Sequence, residues 1–110
     1  MRDSPLVIDD VSAADGGRRI LRLTGPLVIS NLFDFQARVR ADHSHLLVLD
    51  FTNVPYADSA GIGALVGAYV THQKEGRGLL LVGVNQRVRA ALQVTHVDQF
   101  FQYSDIVPAE

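Results

Sequence analysis

The sequence has no cysteine and no large excess of charge of either sign. The absence of cysteine excludes a disulfide framework, a thiolate nucleophile and a thiolate metal site, and it fits a reducing compartment. The formal net charge is −2, and the ten Lys and Arg residues are scattered between Arg2 and Arg89 rather than gathered on one helical face. This distribution argues against direct binding of nucleic acid.

The sequence also lacks the pattern of a signal peptide and has no long hydrophobic run. Residues 1–5 read Met-Arg-Asp-Ser-Pro, and acidic residues stand at positions 9 and 10, where a secretion signal needs an apolar segment. The longest apolar stretch, residues 79–84, is far shorter than the roughly 20 residues that cross a bilayer. We therefore expect a cytoplasmic protein without membrane insertion.

The apolar content that is present suits one packed core. The 110 residues are 47% hydrophobic, which predicts a single domain over residues 1–110 and is too little chain for two. The alternating segment Arg19–Thr24 predicts a strand that ends at Gly25-Pro26. Leu6–Ile8 is predicted to pair with this strand as a hairpin across Asp15-Gly16-Gly17.

Helix signals follow a short extended segment at Leu27–Ile29. Ser30 and Asn31 are candidate caps of a first helix, which should end near Ala41-Asp42. Asn85 is the candidate cap of a later helix.

Two continuous apolar runs, residues 46–51 and 79–84, predict parallel strands covered by helices on both faces. Between the runs, apolar residues recur with the period of one helical face, and Gly76-Arg77-Gly78 should end that helix. The sequence thus predicts an α/β domain with a mixed sheet of four or five strands and about four helices. The residues expected to be buried are Leu47, Leu49, Leu65, Tyr69, Leu81 and Leu92.

The central helix opens on Asp58-Ser59 and then contains three glycines, Gly61, Gly63 and Gly67. Asp and Ser are favoured caps, but each glycine inside a helix costs roughly 1 kcal/mol relative to alanine. Two explanations compete: close packing of the helix on the sheet, or an exposed surface of small residues left open for a partner. Packing is favoured for Gly67 and less so for the two glycines near the helix start.

The sequence contains no pattern that indicates an enzyme active site or a metal site. The glycines lie too far beyond the preceding strand for a dinucleotide fingerprint, and no Gly-Lys-Ser/Thr follows them. His43 and His45 form a pair without a recognisable third ligand, so no metal or cofactor is expected. A hydrolytic triad around Ser59 would need an oxyanion hole and a cleft, which so small a domain does not indicate. We expect a binding module rather than an enzyme.

The segment from Asp50 to Leu65 resembles the signature of the STAS domain family. In that family a strand ending in aspartate and an aromatic or aliphatic residue leads to Asp-Ser-Ser/Thr-Gly-Leu/Ile-Gly and a helix. Leu23-Thr24-Gly25, residues 78–84 and residues 85–92 also stand where the family has similar segments, so the resemblance extends over nearly the whole chain.

The resemblance implies a bacterial partner-switching protein, the anti-sigma factor antagonist. Such an antagonist binds an anti-sigma factor that is also a serine kinase, and it thereby frees a sigma factor for transcription. Phosphorylation of the serine after the aspartate abolishes binding, and a serine phosphatase restores it. Ser59 matches the phosphorylated serine. The partner-binding positions that the motif implies are Asp58, Ser59, Ala60, Gly61, Ile62 and Gly63.

The sequence departs from the family pattern at several positions, and it leaves alternative functions open. Ala60 replaces a second hydroxyl, Ala57 replaces a larger apolar residue, Pro26-Leu27 replaces an acidic and an aliphatic residue, and the C-terminal helix looks shortened. The first departure bears on kinase recognition. The alternatives are a STAS scaffold protein of a larger signalling complex and a STAS subunit of a membrane transport system.

Overall fold

The fold is built on a five-stranded mixed sheet whose strand order follows the chain, β1-β2-β3-β4-β5. The computed structural model describes residues 5–11 and 17–107. The strands are β1 (Val7–Asp10), β2 (Arg18–Thr24), β3 (Leu46–Asn53), β4 (Gly78–Val82) and β5 (Gln102–Ser104). β1 pairs with β2 antiparallel and the other neighbours are parallel, which confirms the predicted hairpin and the mixed sheet. Most of the predicted hairpin turn, Asp15 and Gly16, lies outside the described residues.

Three α-helices and one 3-10 turn connect the parallel strands. They are α1 (Phe33–Ala41), α2 (Ser59–Lys74), α3 (Gln86–Val94) and the turn Asp98–Phe100. The predicted α/β class is confirmed, with the 3-10 turn as the fourth helical segment. No helix within the described ranges is long and apolar enough to span a membrane.

All three helices pack on one face of the sheet. The main core joins the helices to the strand residues Leu21, Leu49 and Leu81, whereas the alternate residues Ile20 and Val48 belong to a separate small cluster on the other face. The prediction that helices cover both faces of the central strands was therefore wrong. Because the strand order never reverses, successive right-handed crossovers all place their helices on the same side.

The start of α1 differs from the predicted capping. The N-cap position is Leu32, which makes no side-chain cap hydrogen bond, so Ser30 and Asn31 are not the caps. The side chain of Asn31 instead accepts a hydrogen bond from the Val28 N–H at 3.0 Å and donates one to the Pro26 carbonyl at 2.8 Å. The Asn31 amide thus shapes the loop before α1, because short polar side chains also bond well to nearby loop backbone.

The core contains the residues expected of it, with one exception. Leu47, Leu49, Leu65, Leu81 and Leu92 are fully buried. Tyr69 is only partly buried: its ring stacks on Phe100 with centroids 5.5 Å apart, and Phe100 is itself 43% exposed, so this contact lies at the edge of the core.

The end of α2 is fixed by a glycine in the left-handed conformation, as the sequence predicted. Gly76 has φ +69°, and its N–H donates to the Gln73 carbonyl. The next N–H, that of Arg77, donates to the His72 carbonyl at 2.8 Å. This pair of bonds is the Schellman arrangement, which only a residue tolerating positive φ completes without strain.

Candidate functional site at the start of α2

Ser59 is the first residue of α2 and its side chain is exposed. The preceding residue, Asp58, is the N-cap, with extended backbone at φ −90° and ψ −177°. Its Oδ1 accepts the Gly61 N–H at 2.8 Å, which satisfies one of the orphan donors of the first turn. The predicted position of both residues at the start of this helix is therefore confirmed, and Ser59 is exposed as expected, whereas Asp58 is half-buried. Their function in binding stays a prediction.

The second oxygen of Asp58 reaches across to another part of the chain. Oδ2 accepts the N–H of Ile29 at 3.0 Å, in the loop between β2 and α1. Beside it, the Asp58 N–H donates to the Leu27 carbonyl at 3.2 Å, and Leu27 forms an isolated parallel bridge with Ala57. The loop before α1 is thus fastened to the segment that enters α2.

The structure assigns close packing to a different glycine of α2 than the sequence predicted. Gly61 is buried, and a Cβ there would collide with the Leu27 carbonyl oxygen. At Gly63 and Gly67 an added Cβ would meet no atom within 4 Å, and both residues are exposed. Packing therefore accounts for Gly61 and not for Gly67, contrary to the expectation. The open surface of small residues begins at Gly63 and continues along the helix.

The six motif residues consequently fall into three groups, which are exposed, half-buried and buried. Ser59 and Gly63 face solvent, whereas Ile62 is 4% exposed and belongs to the main core. Asp58 and Ala60 are half-buried. Of the predicted partner-binding residues, Gly61 and Ile62 are therefore largely removed from solvent, and their part in binding stays a prediction.

Two apolar grooves flank the start of α2. One, of about 450 Å³, lies between α1 and α2; its wall on the α2 side includes Ala60, Gly63 and Gly67, and Ile29 lies at its rim. The other, of about 280 Å³, lies between α2 and α3 and is lined by Ser59, Ile62 and Val94 among others. Val94 is 77% exposed. The hydroxyl of Ser59 therefore stands beside surface suited to contact with apolar groups of a partner.

The chemistry of the site is that of a hydroxyl at a helix N-terminus. A phosphate on Ser59 would lie near backbone N–H groups and the positive end of the helix dipole, both of which favour an anion. Within the described ranges, no group of three or more His, Cys, Asp or Glu side chains is arranged to hold a metal ion.

A model of the STAS domain family matches residues 10–109, nearly the whole chain. The chain belongs to the STAS domain family. The motif that positions Ser59 is thus part of a STAS domain that extends over nearly the whole chain.

Solved structures with this fold include antagonists and a transporter. An anti-sigma factor antagonist from Mycobacterium paratuberculosis has a TM-score of 0.77 at 19% identity, over 93% of this chain and 87% of that one. SpoIIAA, a Bacillus cell fate determinant solved in its phosphorylated form, has a TM-score of 0.67 at 14% identity, over 90% of each chain. The murine anion transporter Slc26a9 has a TM-score of 0.62 at 28% identity, over 72% of this chain and 14% of the transporter. The first two likenesses establish a shared STAS fold.

Sequence reasoning missed Ile29 as a residue of this surface. The pattern around it indicated only a short extended segment, and its N–H bond to Asp58 joins positions far apart in the chain. Ile29 is 64% exposed.

Proposed function

We propose that this STAS domain is an anti-sigma factor antagonist that binds an anti-sigma factor serine kinase and so releases a sigma factor for transcription. Phosphorylation of Ser59 ends the binding, and a serine phosphatase restores it. The observation that carries the proposal is the exposed Ser59 hydroxyl on the first residue of α2, between two apolar grooves. Such a domain is a binding module rather than an enzyme and works in the cytoplasm with its partners.

The position of Ser59 suits a kinase substrate. Its hydroxyl is exposed, and Asp58 fixes the backbone on its N-terminal side through the bond to the Gly61 N–H. Ala60 follows where the family usually has a second hydroxyl, so Ser59 is the hydroxyl of this motif that a kinase can phosphorylate.

A phosphate on Ser59 opposes binding through charge and bulk. Phosphoserine carries about −1.5 to −2 charges at neutral pH, and it would stand next to the carboxylate of Asp58. A partner that contacts Ala60 and Gly63 closely would have to bury that charge. Without a matching cation, burial costs several kcal/mol, which weakens binding by orders of magnitude.

The similar solved structures support the proposal. The Mycobacterium paratuberculosis protein is described as an anti-sigma factor antagonist, and SpoIIAA was solved in a phosphorylated form. The likeness to murine Slc26a9 supports a second candidate, a STAS subunit that serves a membrane transport system. In that case the same grooves would contact a transport protein.

The test is binding to purified anti-sigma factor kinases of the source organism, measured by calorimetry with wild type, Ser59→Ala and Ser59→Asp. We expect wild type and Ser59→Ala to bind one kinase with similar affinity and Ser59→Asp to bind at least about a hundredfold more weakly. With ATP present, wild type should incorporate one phosphate and Ser59→Ala none. Ser104→Ala, which changes a serine of β5 whose hydroxyl bonds locally to Ile106, is the matched control.

Two results would contradict the proposal. One is equal binding by wild type and Ser59→Asp, and the other is phosphate incorporation into Ser59→Ala at the wild-type rate. A third result would favour the second candidate function instead. In that case no kinase binds the wild type, and a transport subunit that copurifies with it also binds it when both are purified.

A further inference from the structure

The loop before α1 and the start of α2 form one connected surface. The Leu27 N–H donates to the Tyr56 carbonyl at 3.1 Å, and the Asp58 N–H donates back to the Leu27 carbonyl at 3.2 Å. Two residues further along the loop, the N–H of Ile29 donates to Oδ2 of Asp58. Buried Gly61 lets the Leu27 carbonyl approach the helix, since any Cβ at this position would collide with it. The loop is therefore held against α2 by specific bonds.

We infer that Ile29 is a partner-contacting residue of this surface and that Asp58 is the positioning residue that holds it beside Ser59. The inference rests on the proposed function, because the partner is the anti-sigma factor kinase proposed above. It adds a partner contact outside the motif, and it means that Asp58 both caps α2 and positions the loop that carries Ile29.

The exposure and position of Ile29 support a contact with the partner. Its side chain is 64% exposed, so core packing does not explain an isoleucine at this position. It lies at the rim of the groove whose other side is formed by Ala60 and Gly63. A partner that covers Ser59 and this groove also covers Ile29. Exposed aliphatic side chains at the edge of such a groove gain binding energy when a partner removes them from water.

The two carboxylate oxygens of Asp58 accept different hydrogen bonds, one from the first turn of α2 and one from the loop before α1. Oδ1 accepts the Gly61 N–H at 2.8 Å, and Oδ2 accepts the Ile29 N–H at 3.0 Å. An asparagine at this position would keep one acceptor oxygen and is an equally good N-cap, but its NH₂ group cannot accept a bond from a backbone N–H. Asp58→Asn can therefore keep only one of the two bonds, and because asparagine is a favoured N-cap we expect it to keep the bond to the Gly61 N–H and lose the bond to the Ile29 N–H.

The experiment combines amide hydrogen exchange with kinase binding. In Asp58→Asn without a partner, we expect the Ile29 amide to exchange about tenfold faster, while the Gly61 amide keeps its protection. For binding to the purified kinase, we expect Ile29→Ser to weaken affinity about tenfold. Ile106→Ser, which changes an isoleucine of 73% exposure beyond β5, should change affinity less than about twofold.

The double variant Asp58→Asn with Ile29→Ser separates positioning from direct contact. If Asp58 acts through Ile29, the two effects on affinity are less than additive; full additivity would overturn its positioning role. Unchanged exchange of the Ile29 amide in Asp58→Asn would overturn it as well. Wild-type affinity in Ile29→Ser would overturn the contact. If the wild type binds no kinase, the proposed function and the Ile29 contact fail together, and the amide exchange still decides whether Asp58 holds the loop.

Discussion

His72 and Asp42 lie side by side in the interior, with Nε2 of the imidazole 3.5 Å from Oδ2 of the carboxylate. Each residue is 1% exposed. Nδ1 of His72 lies 2.8 Å from the Ala68 carbonyl, so Nδ1 carries the donated proton. Nε2 has no hydrogen-bond partner within the described part of the chain. The pair joins the C-cap of α1 to the last turn of α2, at the end of α2 opposite Ser59.

Two arginines complete this cluster around Asp42. Arg77 Nη1 lies 3.1 Å from Oδ2, and Arg19 Nε lies 3.3 Å from Oδ1. Ser44 donates to the same carboxylate from its backbone N–H and its hydroxyl. These donors offset the cost of removing the Asp42 carboxylate from water. The carboxylate in turn balances the charge of Arg77, whose side chain is 10% exposed.

We predict that Asp42→Asn lowers the free energy of unfolding by about 2 kcal/mol, because the guanidinium of Arg77 keeps the exposed carboxylate of Glu75 at 2.6 Å but loses its buried charge partner. Urea unfolding measures the change as a lower midpoint at unchanged slope. The control is Asp34→Asn, which removes an exposed carboxylate 3.7 Å from Arg38 and should cost about 0.5 kcal/mol or less. Equal losses in the two variants would show that the buried cluster contributes no more than a surface pair.

Alanine substitutions at the glycines of α2 should change the stability of the fold in opposite directions. Gly61→Ala should destabilise the fold by about 2 kcal/mol, because the new methyl group must displace the Leu27 carbonyl. Gly63→Ala and Gly67→Ala should each stabilise it by about 0.5 to 1 kcal/mol, since their Cβ atoms enter open space in a helix. Thermal unfolding of the three variants under one condition checks the order. A stabilised Gly61→Ala would contradict the close approach of the loop.

Periodicity and composition were sufficient to predict much of this fold. Leu47, Leu49 and Leu81 were predicted in the core, because uninterrupted apolar strands must be buried. Gly76 was predicted at the end of α2, because the local sequence alone determines that termination. The resemblance to the STAS family then predicted a site at Asp58 and Ser59.

The features that the sequence did not reveal depend on contacts between distant segments. Gly61 is required by the Leu27 carbonyl, which another part of the chain brings to the helix. The function of Asn31 as a loop residue rather than a cap depends on competition between nearby acceptors. Coverage of the sheet on one face follows from strand order, which no single segment encodes.

Tyr103 provides a prediction about alkaline pH. Burial raises the pKa of its phenol above the usual value; the Arg89 guanidinium opposes the shift and Asp98 adds to it. The hydroxyl also donates to the Asp98 carbonyl at 2.6 Å. Because the folded pKa lies above the unfolded one, the contribution of Tyr103 to stability is fully present below pH of about 10 and is lost as the pH rises through the folded pKa.

Tyr103→Phe isolates this effect. At neutral pH the variant should be less stable than the wild type by about 1 kcal/mol, because it lacks the hydrogen bond to Asp98. Above pH of about 10 the difference should shrink, since only the wild type ionises at position 103. Urea unfolding at several pH values gives both curves. A difference that stays constant through the alkaline range would show that Tyr103 does not couple to folding through its ionisation.

A negative charge at Ser59 should leave the fold intact. No acidic residue occupies the first turn of α2, and the dipole at a helix N-terminus favours an anion by about 0.3 to 1 kcal/mol. The neighbouring carboxylate of Asp58 opposes that gain by a similar amount. We therefore expect Ser59→Asp to melt within about 3 °C of the wild type in circular dichroism.

The matched control places the same charge three residues further along α2. Ile62 is 4% exposed, and Ile62→Asp would bury an unpaired carboxylate in the main core, which costs several kcal/mol and should abolish cooperative melting at the wild-type temperature. If Ser59→Asp melted as low as Ile62→Asp, loss of kinase binding would reflect unfolding. A wild-type melting curve for Ser59→Asp, together with lost binding, assigns the effect of the phosphate to the surface at the start of α2.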